Sequence, residues 1–328
     1  GRYLSWAAQG QNGFWQIYLH DTAASDRSSR IMGQGNWPCW GSGGELLYTT
    51  VDTPSRTFLT AYPLAEKSQG VMLPAVQLPG RVRGITWAKK VPLEKVSATA
   101  PDHTPTPLWD QARGSADHGP DQRLDLVRLN DIQAPSPQLN PRAADAFQAL
   151  RKRTAREAGW DFLGVLENAY LPLTAPPDPG QGENWLYTGR GFEVSELPLL
   201  ADWLVVVREE FGAATYWRLY LRAKNQDGSQ GRPLYDYPWD FQAQYSGNPR
   251  AYEAGGSPRS TVPEGYWIDF TKLAAAYGWS RFPASPFWRT ALPTSNWQLF
   301  AFNQGLTWSE AMLEIYPPAA LITPTPYP

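Results

Sequence analysis

A run of residues that favours neither helix nor sheet cuts the chain about a third of the way along. Thr99-Ala100-Pro101-Asp102-His103-Thr104-Pro105-Thr106-Pro107 is rich in proline and threonine. Proline fixes φ and has no amide proton to give, so such a run favours extended, polyproline-like backbone. Gly114-Ser115-Ala116-Asp117-His118-Gly119-Pro120 follows, polar and full of helix and strand breakers. Together they read as a linker over residues 96–122. The 328 residues then divide into an N-terminal domain over 1–95 and a larger one over 123–317, in keeping with the usual ~100–200 residues per domain. Thr323-Pro324-Thr325-Pro326-Tyr327-Pro328 has the linker's character and reads as a tail over 318–328, the start of a stalk of the kind found in surface proteins.

Residues 1–95 read as all-β. Phe14-Trp15-Gln16-Ile17-Tyr18-Leu19 is a strand candidate. In Asn36-Trp37-Pro38-Cys39-Trp40-Gly41-Ser42-Gly43-Gly44-Glu45-Leu46-Leu47-Tyr48-Thr49-Thr50 an aromatic precedes a polar, glycine-rich turn and a second strand, which is a hairpin signal. Gly84-Ile85-Thr86-Trp87 echoes it about one ~40–45-residue blade later, and Trp6 is a third echo. The turn resembles the Trp-Ser-Pro-Asp-Gly-Lys repeat of TolB-type β-propellers, with the proline and aspartate missing. That resemblance implies about two blades, whereas a closed propeller takes typically 4–8. A partial propeller leaves strand edges without partners.

Residues 123–317 alternate between helix and strand signals, which gives an α+β domain. Leu124, Leu126 and Leu129 suit a short strand. Asn140 caps a helix with Pro141 at its first position, Ala143, Phe147, Leu150 and Thr154 share one face, and Gly159 ends it. A proline- and glycine-rich loop spans 172–182. Further on, Ser195 is placed to cap a helix carrying Leu197, Leu200, Leu204 and Val207, which Gly212 stops. Residues 215–222 alternate as a strand, with Arg218 and Arg222 on one face, and Asn225-Gln226-Asp227-Gly228 turns the chain. A short helix from Thr271 to Tyr277 ends at Gly278. Thr307-Trp308-Ser309-Glu310 is a capping box opening a last helix, which Pro317 stops.

Trp185-Leu186-Tyr187-Thr188-Gly189-Arg190-Gly191-Phe192-Glu193-Val194 resembles the first metal-binding motif of the zinc D,D-carboxypeptidases with the Hedgehog-type fold. That motif runs His-x-x-Gly-x-Ala and closes on Asp, seven residues after its His. The resemblance puts Leu186 at the histidine, Gly189 at the glycine and Glu193 at the aspartate. The family's later Glu-x-Trp-His finds its echo in Pro238-Trp239-Asp240, with Tyr237 at the general base and Asp240 at the last zinc ligand. The likeness covers about residues 124–242 and makes 243–317 an extension. It implies a degenerate peptidase cleft holding Trp185, Tyr187, Arg190, Glu193, Asp236, Trp239 and Asp240, with Trp217 and Tyr235 as further aromatic wall.

The histidines decide against the family's chemistry. All three, His20, His103 and His118, precede residue 123, as does the single cysteine, Cys39. Catalytic zinc takes three protein ligands, at least two of them usually His or Cys, so the second domain implies no zinc and no other cofactor. Paired carboxylates remain open: Glu193 with Asp240 or Asp236 could act as acid and base or hold calcium. Cys39 has no disulfide partner and, between Trp37, Pro38 and Trp40, reads as a buried small hydrophobe. Arg190 reads as a carboxylate partner that holds a hairpin, and Glu193 as an acceptor of backbone amides or a partner of Arg190, Arg218 or Arg222.

A net charge of -2 gives no footprint for nucleic acid or an anionic membrane, and no apolar run reaches the ~18–20 residues of a membrane span. The chain starts at Gly1, so a missing signal peptide does not argue for the cytoplasm. The expectation is a non-catalytic extracytoplasmic protein of the cell surface or wall. Its partners would be proteins, further copies of itself, or cell-wall glycan or peptide. A structural subunit of a surface layer or filament, and an active hydrolase with a rebuilt site, are the alternatives. The 16 Trp, 16 Tyr and 12 Phe fit either a heavy core or contact surfaces.

Overall fold

A computed structural model describes residues 2–24, 28–54, 56–64, 72–78, 82–88, 123–175 and 182–321. The linker at 96–122 with His103 and His118, most of the tail, and residues 176–181 of the expected loop lie outside the described residues. The chain divides into two compact units, one of Gly1–Thr106 with Glu210–Thr215, the other of Pro107–Glu209 with Tyr216–Pro328.

The N-terminal region is all-β. Strands β1 (Tyr3–Gln9), β2 (Trp15–Asp21) and β3 (Ser29–Gln34) form one antiparallel sheet in that order. Strands β4 (Asn36–Trp40), β5 (Leu46–Asp52), β6 (Thr57–Pro63) and β7 (Val76–Leu78) form the other. The glycine-rich turn behaves as a hairpin turn should: the Gly41 amide bonds the Leu46 carbonyl, and Trp40 faces Leu47 across the ladder. Alternation sets the faces. Ile17, Leu19, Met32, Leu47 and Tyr62 point inward and form one small core, with Tyr3 stacked on Trp40 at its edge. Gly33 lets this core close, because a Cβ there would lie 2.3 Å from the Tyr62 hydroxyl oxygen at a φ of +150°. Two expectations need correction. Gly84-Ile85-Thr86-Trp87 starts no strand among the described residues; instead Trp87 stacks on Tyr48 of β5, ring centres 5.1 Å apart. Cys39 is half-buried rather than buried, because β4 sits at the edge of its sheet.

The C-terminal unit mixes short helices with antiparallel sheets. A two-stranded ribbon pairs β8 (Val127–Arg128) with β9 (Gln138–Leu139), so the strand expected around Leu124 and Leu129 shrinks to two residues. Helix α1 (Pro141–Ala158) follows. The Asn140 side chain accepts from the Arg142 amide at its start, and Gly159 ends it in the left-handed conformation. Next come β10 (Leu166–Asn168), β11 (Gly191–Val194), a one-turn α2 (Leu197–Leu200), β12 (Leu204–Phe211) and β13 (Ala214–Arg222). The remaining elements are β14 (Arg232–Pro233), β15 (Trp239–Asp240), α3 (Pro249–Ala254), β16 (Ser257–Pro258), β17 (Tyr266–Asp269), α4 (Phe270–Ala276), β18 (Ser280–Arg281), β19 (Leu299–Ala301) and α5 (Trp308–Leu313).

The helix expected from Ser195 to Val207 is one turn only. Leu204, Val205, Val206 and Val207 are all buried, on both faces of a strand. A β-branched run covered on both faces favours extended backbone over helix. Residues 243–317 are not an appendage either. They supply β19, which pairs with the motif strand β11 in the sheet β10-β11-β19-β18, and β17, which pairs with β13 in the sheet β12-β13-β17-β14. The core lies between α1 and these strands. Phe162, Phe270, Phe300, Phe192 and Trp279 form a chain of ring contacts, with Phe147 set edge-on against Phe192.

Candidate functional site

The motif folds as a tight turn followed by a strand. Trp185–Thr188 is one 3-10 turn, capped by the Asn184 carboxamide oxygen accepting from the Leu186 amide at 2.9 Å. The Thr188 hydroxyl donates to the Trp185 carbonyl at 2.7 Å. Gly189 ends the turn at a φ of +64°, and its carbonyl accepts from the Asn140 amide at 2.7 Å. A Cβ on Gly189 would stand 2.6 Å from Leu126 and 3.0 Å from that same amide, so the glycine is required for the close approach as well as the torsion.

Arg190 comes next, its side chain wholly buried. It holds Glu314 with two bonds: Nε donates to Oε2 at 2.6 Å and Nη2 to Oε1 at 2.9 Å. Its Nη1 donates to the Phe302 carbonyl at 2.9 Å. The same carboxylate accepts from the Asn140 amide group at 2.9 Å and from Arg142 at 2.8 Å. The Arg190–Glu314 pair thus ties the start of α1, the motif, the residue after β19 and the end of α5. Arg190 does pair with a carboxylate, but the partner lies 124 residues away, so it holds the unit together rather than a hairpin.

The other candidates are dispersed. Trp185 is buried and stacks on Phe282. Tyr187 is buried and donates its hydroxyl to the Ala175 carbonyl at 2.8 Å. Glu193 accepts from the Asn168 carboxamide at 2.7 Å across the β10–β11 pair. Among the arginines considered for it, Arg190 is committed to Glu314 and Arg218 to Asp269 and Glu209. Trp239 is buried beside Trp217 and Trp288, under the Arg208 guanidinium at 4.8 Å. Asp240 caps the 3-10 turn Phe241–Tyr245 through the Gln242 amide. Asp236 is half-buried between the exposed Tyr235 and Tyr237. The structure places these residues on separate elements, each with contacts of its own. Glu193 and Asp240 stand in different sheets, each with its own partner.

The zinc that the resemblance implies does not fit these residues. Leu186 at the first ligand position is an alkyl side chain, 1% exposed and packed in the interior, and the Asp240 carboxylate is already spent on a cap. Among the described residues, no three His, Cys, Asp or Glu side chains stand close enough to share an ion.

Sequence inspection missed Glu314 and a second buried charge group. Glu209 on β12 receives Arg281 at 2.6 Å and Arg218 at 3.4 Å, and Arg218 also grips Asp269 at 2.6 Å. Burial alone would make the Arg218 proton easier to lose, but Asp269 and Glu209 outweigh it and hold the guanidinium above its ordinary pKa. The only hint in the sequence was the shared face of Arg218 and Arg222. Where the motif borders open space, Glu183, Asn184, Phe282, Pro283, Asn296 and Leu299 line a recess of about 230 Å³, below the ~300–1,000 Å³ usual for ligand sites. No family model, curated protein or solved structure matches the chain.

Proposed function

We infer that this is a non-catalytic extracytoplasmic protein that binds or assembles at a cell surface or wall. On this reading, propeller-like blades of TolB type precede a peptidase-like domain that no longer cuts. The observation that carries it is the fate of the motif. Leu186, Trp185 and Tyr187 are packed into the interior, and the one strong charge, Arg190, is locked to Glu314. Hydrolysis needs a reacting group held beside an open space that admits substrate. Here the polar groups of the motif are spent on holding the fold. The Pro/Thr-rich stretches at 96–122 and 318–328 support the surface location, since such composition is common in exposed stalks.

The test is turnover. The chain is incubated with a peptide ending in D-Ala-D-Ala, with and without added Zn²⁺, and release of D-alanine is followed. The expected result is no release above a protein-free blank. Zinc-dependent release that Glu193→Gln abolishes, without a change in melting, would overturn the proposal and make Glu193 a working acid.

A further inference from the structure

Strand β1 has one partner, β2, and an open second edge. Which groups face that edge follows from the ladder. The Thr22 amide bonds the Arg2 carbonyl, the Gly10 amide bonds the Phe14 carbonyl, and the register between them runs without a shift. Antiparallel pairs alternate between bonded and non-bonded, so Arg2, Leu4, Trp6, Ala8 and Gly10 spend their amides and carbonyls on β2. The amides and carbonyls of Tyr3, Ser5, Ala7 and Gln9 point away from it, and no backbone or side-chain bond to them occurs among the described residues.

Open edges are usually protected by charge, proline, a bulge or brevity. Among the described edge strands, β3 carries Arg30 and faces a register shift, β4 carries Pro38, and β12 carries Arg208, Glu209 and Glu210. The edges β7, β10, β14 and β18 have three residues or fewer. Tyr3-Leu4-Ser5-Trp6-Ala7-Ala8-Gln9 has none of these devices over seven residues. The charge just before it is neutralised, because Arg2 is paired with Asp21 at 2.9 Å. The outer face carries an apolar row as well. Trp6 lies on Tyr18 with ring centres 5.5 Å apart, Tyr18 faces Ile31 across β2 and β3, and Leu4, Trp6 and Ile31 are exposed.

We propose that β1 pairs with β1 of a second copy of this chain, antiparallel about a two-fold axis at Trp6. This rests on the binding-and-assembly function above and names its partner. The strand is self-complementary in that register. Ser5 meets Ala7 of the second copy and Tyr3 meets Gln9, so every outward amide and carbonyl finds its opposite, about eight bonds in all. Trp6 meets its own counterpart as a non-bonded pair, the closer kind, on the outer face. The row Ile31–Tyr18–Trp6 then continues into the second copy as one apolar strip over six strands. An isologous contact of this kind closes on itself and stops at two chains.

Sedimentation equilibrium of the full chain across a concentration series tests it. The expected mass rises from 36.7 kDa to about twice that. Ala7→Pro removes one outward amide while leaving the β2 ladder whole, and is expected to return the mass to that of one chain. Trp6→Lys sets two like charges across the axis and is expected to do the same with an unchanged circular dichroism spectrum, which covers the case in which the proline variant misfolds. A wild-type chain that stays single at every concentration would overturn the proposal and leave the edge to a strand of another protein. A pair that survives both substitutions would overturn it too. Neither result bears on turnover, so this proposal and the absence of hydrolysis fail separately.

Discussion

In the N-terminal unit Trp6, Trp15, Trp37 and Trp87 are all exposed, while in the C-terminal unit Trp217, Trp239, Trp279, Trp288 and Trp297 are all buried. The interiors differ in the same sense. The first has five fully buried hydrophobics at its centre; the second has an extended core that joins helix, strands and loops through ring contacts. Charge follows suit. The Arg2–Asp21 pair of the first unit lies at the surface, whereas Arg190–Glu314 and Arg281–Glu209 of the second are buried. Aromatic-rich composition therefore does not assign a role. In the first unit these indoles are available for contact; in the second most of the described tryptophans fill space, some under guanidinium groups, while Trp203, Tyr235, Tyr245, Tyr252 and Phe287 stay exposed.

The contrast is broken most severely at Glu314. Glu314→Ala leaves Arg190 buried without its carboxylate, an arrangement that costs about 3–5 kcal/mol. Denaturant unfolding followed by tryptophan fluorescence is expected to show that loss in the buried-indole signal of the C-terminal unit. A loss below about 1 kcal/mol, the range of surface pairs, would mean that the staple is not what secures the second unit.

Trp6→Ala sharpens the comparison from the other side. An exposed ring away from caps and cores is worth within about 0.5 kcal/mol of stability, so at a concentration low enough to keep the chain single, where no pairing contributes, melting is expected to be nearly unchanged. A cost near the ~3–5 kcal/mol of a buried tryptophan would show that the first unit depends on its outer face for folding.

The smallest effect is expected with acid. The Arg2 side-chain bond to Asp21, helped by the Ala23 amide, holds that carboxyl below its ordinary value. In the second unit the Thr307 amide, with its hydroxyl, does the same for Glu310. A carboxyl with a lowered folded pKa adds stability that is complete above the unfolded value, about pH 4, and is lost as the pH falls through the folded one. Melting temperatures of Asp21→Asn and Glu310→Gln are expected to lie slightly below wild type at neutral pH and to meet it in acid. Curves that stay parallel would refute the assignment.

What the sequence revealed about each region depended on how local the determining contact is. Helix α1 was legible from Asn140 to Gly159 because both caps act within three or four residues. The Thr307–Glu310 capping box and the Trp40 hairpin were legible for the same reason. Leu197, Leu200, Leu204 and Val207 carried a helical spacing, yet Leu204 onward is strand, because tertiary burial on both faces outweighed the period. The contacts of the candidate site were illegible for a third reason. Trp185, Arg190 and Trp239 are interior residues whose partners, Phe282, Glu314 and Trp288, lie far along the chain. Spacing within a motif carries no trace of such partners.

The distance from Arg190 to Glu314 also sets a clock. A ribosome adds roughly 5–20 residues each second, so the 124 residues between them take on the order of 6–25 s to appear. Throughout that interval the guanidinium that will end fully buried has no carboxylate to meet, and β11 has no β19 beside it. The hairpins of the N-terminal unit close within short loops and can fold as they emerge. The C-terminal unit must wait for nearly its last helix, and until then its aromatic interior is open to whatever chaperone attends the growing chain.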